Sequence, residues 1–237
     1  MAKQRYKRIL LKVSGEVLAG DQSFGIETQF LDATARQIVE AAKSGVQIAI
    51  VTGGGNIFRG MSVAAGGADR VTADMMGTLG TVINALALSS AVARQGVKSK
   101  VFSATTMPSV ADTYTARAAK AALEDGYVVV LGGGTGNPFF TTDTASALRA
   151  IELECDVLLK GTKVDGVYSE DPKKNPKAQR YETISHAEVI QQDLKVMDTA
   201  AFALARDNGL PIIVYALDDK DGLMGVLDGR TRFTRVG

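Results

Sequence analysis

Two lysines close apolar runs in this chain, Lys12 in LLKVSG (Leu10–Gly15) and Lys160 in LLKGTK (Leu158–Lys163). An ammonium group without a partner is costly in a buried strand, so each lysine either meets something anionic or snorkels from the strand end to water. Phosphoryl transfer gives such cations a use, because they stabilise charge spreading over the migrating group while backbone donors hold its oxygens. Backbone donors are at hand. Both runs, together with IVTGGG (Ile50–Gly55) and VVLGGG (Val129–Gly134), break into glycine, which lets N–H groups line a concave turn and lets a phosphate approach without meeting a Cβ. One such turn is equally well explained as a tight connection of the fold. Four of them outline one pocket beyond the carboxyl ends of a sheet. The chain has no G-x-x-x-x-G-K-[ST], and neither GGG run fits G-x-G-x-x-G, so the pocket is neither a Walker nor a Rossmann site.

Other residues with chemical potential lie close to these junctions. Ser14 and Thr162 add hydroxyl donors beside the lysines, and Arg59 follows the second glycine run in GGGNIFRG, within reach of anything held by Gly54 and Gly55; a surface salt bridge is its competing use. Asp74 can accept hydrogen bonds from a ribose diol, or simply favour the first turn of a helix through the dipole. In TGNPFFTTDTAS, Thr135, Asn137, Thr141 and Thr142 offer the donors and acceptors that read a base edge, while Phe139 and Phe140 offer apolar walls. Asp143 then opens a helix-like stretch, either as its N-cap or as a carboxylate that orients a lysine and keeps it charged. His186, the single histidine, reads as solvent-facing or capping near a helix start, and Cys155, the single cysteine, as a small buried hydrophobe. No Cys/His spacing suits zinc, which leaves room for magnesium held mainly through substrate phosphates.

The elements that must position these residues alternate. Apolar runs over 8–13, 46–51, 98–102, 127–131, 156–160 and 211–215 are separated by helix-like stretches over 29–44, 72–95, 115–125, 143–154 and 198–208. Runs that are apolar on successive positions predict strands covered on both faces, and the alternation predicts an α/β protein with a largely parallel sheet between helices. The stretch 171–183, with Asp-Pro, Asn-Pro and paired lysines, reads as an irregular excursion, either a lid or a loop.

The 237 residues, 46% hydrophobic and 22% charged, suit one large α/β domain over 1–237. With 27 Lys plus Arg against 26 Asp plus Glu, the formal net charge is +1, and no overall basic field invites nucleic acid or a membrane surface. A single cysteine, no recognisable signal peptide and no run of spanning length predict a cytoplasmic protein.

YKRILLKVSGE, GGGNIFRG, TGNPFFTTD, KGTKVDGVY, DP and LKVMDTAAF stand in an order and spacing that resemble the bacterial UMP kinases of the amino-acid-kinase superfamily, from Tyr6 to nearly the C-terminus. That resemblance implies a three-layer α/β/α sandwich with a mainly parallel central sheet, and direct transfer of the γ-phosphoryl of Mg-ATP to UMP, giving UDP and ADP in pyrimidine nucleotide biosynthesis. It implies ATP phosphates at Lys12, Val13, Ser14, Gly15, Gly55 and Arg59, and the ATP nucleoside at Thr162, Tyr168 and Asp171. UMP is implied at Gly54, Asp74, Thr135, Gly136, Asn137, Pro138, Phe139, Phe140, Thr141 and Thr142. The acceptor site thus falls mostly in the N-terminal part and the ATP nucleoside site in the C-terminal part. Lys12, Arg59 and Asp143 are implied in catalysis, Asp143 as organiser of the lysines; Lys160 and Lys195 both remain candidates for the second cation. Mg²⁺ is expected with the nucleotide rather than in a protein cage. Hexamer formation, activation by GTP and inhibition by UTP follow from the same resemblance, with Gly20, Asp21, Gln22, Ser23, Phe24 and Gly25 as the candidate GTP region or a solvated turn. A kinase acting on carbamate or an amino-acid carboxylate and a non-catalytic nucleotide sensor are the alternatives.

Overall fold

The computed structural model describes residues 6–58, 67, 69–172, 174–217 and 221–237. Its strands are β1 (Arg8–Val13), β2 (Gln47–Thr52), β3 (Ser99–Ser103), β4 (Asp112–Thr113), β5 (Val128–Gly132), β6 (Val157–Thr162), β7 (Thr183–Ile184), β8 (Ile212–Ala216) and β9 (Phe233–Val236). They form one sheet in the order β4-β3-β5-β2-β1-β6-β8-β9-β7. Every ladder is parallel except β8 with β9. The strands β5, β2, β1 and β6 that run into glycine are consecutive in this order, so all four glycine junctions stand side by side at one edge.

The helices are α1 (Gly15–Ala19), α2 (Thr28–Lys43), α3 (Arg70–Arg94), α4 (Ala116–Glu124), α5 (Thr142–Glu152), α6 (His186–Gln191), α7 (Thr199–Asp207) and α8 (Gly222–Leu227). Strand alternation sends Ile9, Leu11 and Val13 of β1 into one apolar layer with Leu31, Ile38, Leu88 and Val226 from α2, α3 and α8. Leu10 faces the opposite layer, with Leu123, Ala147 and Phe202 from α4, α5 and α7. Each fully buried Leu, Ile or Val in these layers contributes about 1.5–3 kcal/mol. The even-numbered side of β1 and β6 is therefore the side covered by α5, and it carries Lys12 and Lys160.

Five of the six predicted strands begin and end one or two residues later than their apolar runs, because the ladder continues into the junctions: β2 reaches Thr52, β5 reaches Gly132 and β6 reaches Thr162. The helices α1, α6 and α8 and the strands β4, β7 and β9 have no counterpart among the expected stretches, apart from the helix start read near His186, where α6 begins. The first three are five or six residues long, too short for a helical period to register. The excursion after β6 is anchored at its base by the Tyr168–Arg180 bridge and by Ser169 N–H donating to the Gln179 carbonyl at 2.9 Å.

The expectation that no run has spanning length needs correcting. α3 is long and apolar enough, by length and composition, to cross a membrane. One side of it nevertheless packs on the sheet through Ala85, Leu88 and Val92 and buries Asn84 and Thr81, while Met76, Leu79, Ile83 and Leu86 are exposed.

Candidate active site

Parallel pairing of β1 with β6 places Lys12 opposite Lys160 in register. Both side chains rise from the same face towards the N-terminal turn of α5. Asp143 receives both: Lys160 Nζ lies 2.8 Å from Oδ2 and Lys12 Nζ 2.9 Å from Oδ1. The Lys12 contact is an ion pair without hydrogen-bond alignment, since Oδ1 is buried and has no aligned donor. Asp143 is held there because the capping role falls to Thr141, whose Oγ1 accepts from the N–H groups of Asp143 at 3.0 Å and Thr144 at 3.4 Å. Burial pushes the Asp143 carboxyl up, but the charges of Lys12 and Lys160 more than reverse this and hold it below the usual carboxylate range. Burial pulls Lys160 down, and the Asp143 charge only partly restores it. Lys160 also donates to the Val196 carbonyl.

The glycine junctions close around this trio. A Cβ on Gly54 would stand 2.7 Å from the Gly77 carbonyl oxygen and 2.9 Å from Thr81 N, so this glycine permits the close approach of α3. Gly55 faces open space. Two asparagines fix the turn: Asn84 Nδ2 donates to the Gly53 carbonyl at 2.7 Å and to Asn56 Oδ1 at 2.6 Å, and Asn56 Nδ2 donates to the Gly25 carbonyl at 2.7 Å. The resulting 420 Å³ cavity is lined by Lys12, Ser14, Gly15, Gly53, Gly54, Gly55, Thr142, Lys160 and Thr162. Val13 is fully buried and does not line this cavity, its carbonyl accepting from Gly53 N–H at 2.8 Å.

Among the clefts that share lining residues with this cavity, two hold the remaining nucleotide candidates. One, of 450 Å³, is lined by Arg70, Asp74, Gly77, Thr81, Gly134, Thr135, Asn137, Phe140, Thr141 and Thr142, and it shares Glu16, Gly54, Gly55 and Thr142 with the central cavity. In it Asp74 Oδ2 accepts from Arg70 Nε and from Phe139 N–H, both at 2.8 Å, and Asp74 is the fifth residue of α3, beyond its first turn. Phe139 takes φ of 69° and lies under the Arg70 guanidinium, 5.4 Å from the ring centroid. Gly136 N–H donates to the Gly133 carbonyl at 2.9 Å; Pro138 is half-buried in the same loop.

The other cleft, of 560 Å³, is lined by Lys160, Thr162, Gly166, Tyr168, Asp171, Lys195 and Val214, and shares Lys160 and Thr162 with the central cavity. Tyr168 donates to Asp165 at 2.5 Å, and that bond raises its pKa. Lys195 pairs with Asp193 at 2.6 Å with its side chain 82% exposed, away from the trio. Arg59 lies outside the described residues. Gly20 and Asp21 of the Gly20–Gly25 segment line a further cleft, of 540 Å³, which shares Thr162 and Lys163 with the central cavity, and Gly25 N–H donates to the Asn56 carbonyl at 2.8 Å.

His186 departs from expectation. It is buried, with Nε2 3.0 Å from the Leu210 carbonyl, while Ser185 and Glu188 form the capping box. Asn56, Asn84, Thr81 and Asp198 are further polar groups that shape the site. Asp198 caps α7 through Ala201 N–H at 2.8 Å and accepts from the hydroxyls of Thr141 and Thr144. Its place in LKVMDTAAF was the available signal. Thr81 and Asn84 carried none, since a polar residue within a helix is usually solvated.

The sequence pattern of the Amino acid kinase family matches residues 7–216. The chain belongs to the amino acid kinase family. Among relatives in the family, the uridylate kinase of Bartonella bacilliformis is 54% identical over 232 residues, covering 98% of this chain and 97% of that one. The uridylate kinase of Brucella anthropi is 54% identical over 234 residues, covering 99% and 98%. The crystal structure of UMP kinase from Bacillus anthracis superposes with a TM-score of 0.94 at 38% identity, covering 98% of this chain and 96% of that chain.

Proposed function

We propose that this member of the family is a UMP kinase, transferring the γ-phosphoryl of ATP to UMP. The observation that carries the reading is the pair of clefts converging on one cation-floored cavity, each sharing residues with it. The threonine-rich cleft takes UMP, with Asp74 on the ribose and Gly134 to Thr142 around the base. The cleft with Thr162, Tyr168 and Asp171 takes the ATP nucleoside. Between them, an oxygen of the UMP phosphate bonds to the γ-phosphorus as the bond to the ADP oxygen breaks. The acceptor is already an anion, so no general base is required. Positioning and charge stabilisation by Lys12, Lys160 and the glycine N–H groups do the work, and Arg59 is placed with them by motif alone.

Among the described residues no group of three or more His, Cys, Asp or Glu is arranged to hold a metal, and both Asp143 oxygens face ammonium groups. These residues fit Mg²⁺ carried by the nucleotide phosphates, where it neutralises phosphate charge.

Measuring ADP formation with UMP, CMP, glutamate, acetylglutamate, aspartate and carbamate tests the assignment. UMP is the preferred acceptor; a carboxylate or carbamate substrate with little UMP activity overturns it. Nucleotide binding without UDP points to a sensor. Asp74→Ala is expected to raise the KM for UMP about tenfold or more, the loss of hydrogen bonds to a charged group, with the KM for ATP little changed.

Lys160, not Lys195, is the second cation in this reading, because it reaches Asp143. Lys195→Ala should keep kcat within about threefold of wild type, as for an exposed pair, and a larger loss reverses the assignment. The exposed row Met76, Leu79, Ile83 and Leu86 supports assembly with further copies, a hexamer by resemblance, which light scattering checks. GTP and UTP titrations of the initial rate test regulation through the Gly20–Gly25 region. A cytoplasmic location suits the single cysteine.

A further inference from the structure

Arg149, Glu152 and Tyr114 form a polar cluster against the start of the acceptor loop, and the mechanism above uses none of them. Arg149 projects from α5, two turns beyond Asp143, and is only 6% exposed. Its guanidinium donates to Glu152 Oε2 at 2.7 Å through Nη1 and to the Gly134 carbonyl at 3.1 Å through Nη2. It lies 4.0 Å from the centroid of the Tyr114 ring, and the Tyr114 hydroxyl donates to the same Glu152 oxygen at 2.6 Å. A planar cation so engaged on two edges and a face has one orientation available.

The group it holds is the point of interest. Gly134 has φ of 57° and follows Gly133 at 82°, and it lines the acceptor cleft with Thr135. The Gly133 N–H is fixed on α3 by Thr81 Oγ1 at 2.8 Å, whereas the Gly134 carbonyl is fixed on α5 by Arg149. The far end of the loop is tied by Phe139 N–H to Asp74. Left-handed glycines resist little when a restraint is removed, so the Arg149 bond decides where the start of the loop stands relative to the helix bearing Asp143.

We propose that Arg149, oriented by Glu152 and Tyr114, is a positioning residue for the acceptor: it sets the Gly134–Thr135 backbone against the helix that carries Asp143, and thereby sets the affinity for the acceptor nucleotide. The proposal rests on the UMP assignment made above. It distinguishes this cluster from a salt bridge that merely stabilises the fold, because the restraint acts on Gly134 and Thr135, which line the acceptor cleft and neither the central cavity nor the ATP cleft.

Steady-state kinetics of Arg149→Lys, Arg149→Met and Tyr114→Phe, with thermal melting of each, supply the test. Arg149→Lys keeps the charge but loses the fork, so the KM for UMP should rise about tenfold, the effect of one charge-assisted hydrogen bond, with kcat and the KM for ATP within about threefold. Tyr114→Phe removes one hydroxyl and should raise the KM for UMP by a smaller factor in a folded enzyme. Variants that melt earlier but keep the wild-type KM for UMP overturn the proposal, as does a rise confined to ATP. If Arg149→Met does not fold, the other two variants decide. Absence of UDP formation by the wild-type enzyme would instead sink the acceptor assignment itself, which separates the two failures.

Discussion

Replacing Lys12 with alanine is expected to lower kcat about 10²–10³-fold, the usual loss on deleting one preorganised donor to a developing charge, while the dissociation constant for UMP stays within about threefold. The asymmetry follows from where Lys12 stands. It lines the central cavity but neither of the two clefts, so its contribution belongs to the transferring phosphoryl rather than to either nucleoside. Asp143 Oδ1, 2.9 Å away, occupies one side of its ammonium, which carries three N–H donors. The fold should tolerate the change, because Asp143 retains Lys160 at 2.8 Å. Stopped-assay turnover combined with calorimetric UMP binding checks both halves. Turnover near wild type removes Lys12 from the mechanism.

Asp143→Asn acts on the chemistry and on the fold together. Both ammonium groups lose the carboxylate that orders them, and turnover should fall by more than about a hundredfold. Asp143 is 16% exposed and its partners are 8% and 11% exposed. Breaking such a buried pair costs about 3–5 kcal/mol because the remaining charges are uncompensated. For a chain of this size that corresponds to a Tm lower by roughly 10 °C. Added ATP should recover more of that loss in the variant than it adds to wild type, since phosphate takes over as counter-charge. The acid limb gives an independent check. A carboxyl with a depressed folded-state pKa contributes stability that is complete above its unfolded value, about 3.9, and lost as pH falls through the folded value. The Tm gap between wild type and variant should therefore narrow as pH drops below about 4. A constant gap across that range contradicts the charge assignment.

Residues differ in how plainly they announced themselves in the sequence. Lys12 and Lys160 stood out because a cation at the end of an apolar run has few explanations. Asp143 did not: an acidic residue at a helix start fits a cap as well as an active site, and only the seat of Thr141 as the actual cap separates the two. The central strands were legible from unbroken apolar runs, since a strand covered on both faces has no polar side to show. The extension of one or two residues into the glycine turns was not, because ladder pairing there depends on the neighbouring strand. Asn84 and Thr81 bind main-chain groups of loops 31 to 52 residues away in sequence, and no local pattern encodes such a distance. His186 was misjudged for the same reason, its partner Leu210 being 24 residues on.

The in-register pairing of Lys12 with Lys160 carries a consequence for how such an enzyme diversifies. In the reading proposed above, the reacting centre is written into a backbone ladder, whereas the ATP cleft is drawn largely from loops and the acceptor cleft from loops together with α3. Insertions and substitutions in the loops can exchange one acceptor for another without disturbing the spacing of the two cations. A slip of one residue in the ladder would throw one of them to the opposite side of the sheet. Chemistry is thus the inherited part of this architecture, and substrate choice the exchangeable part.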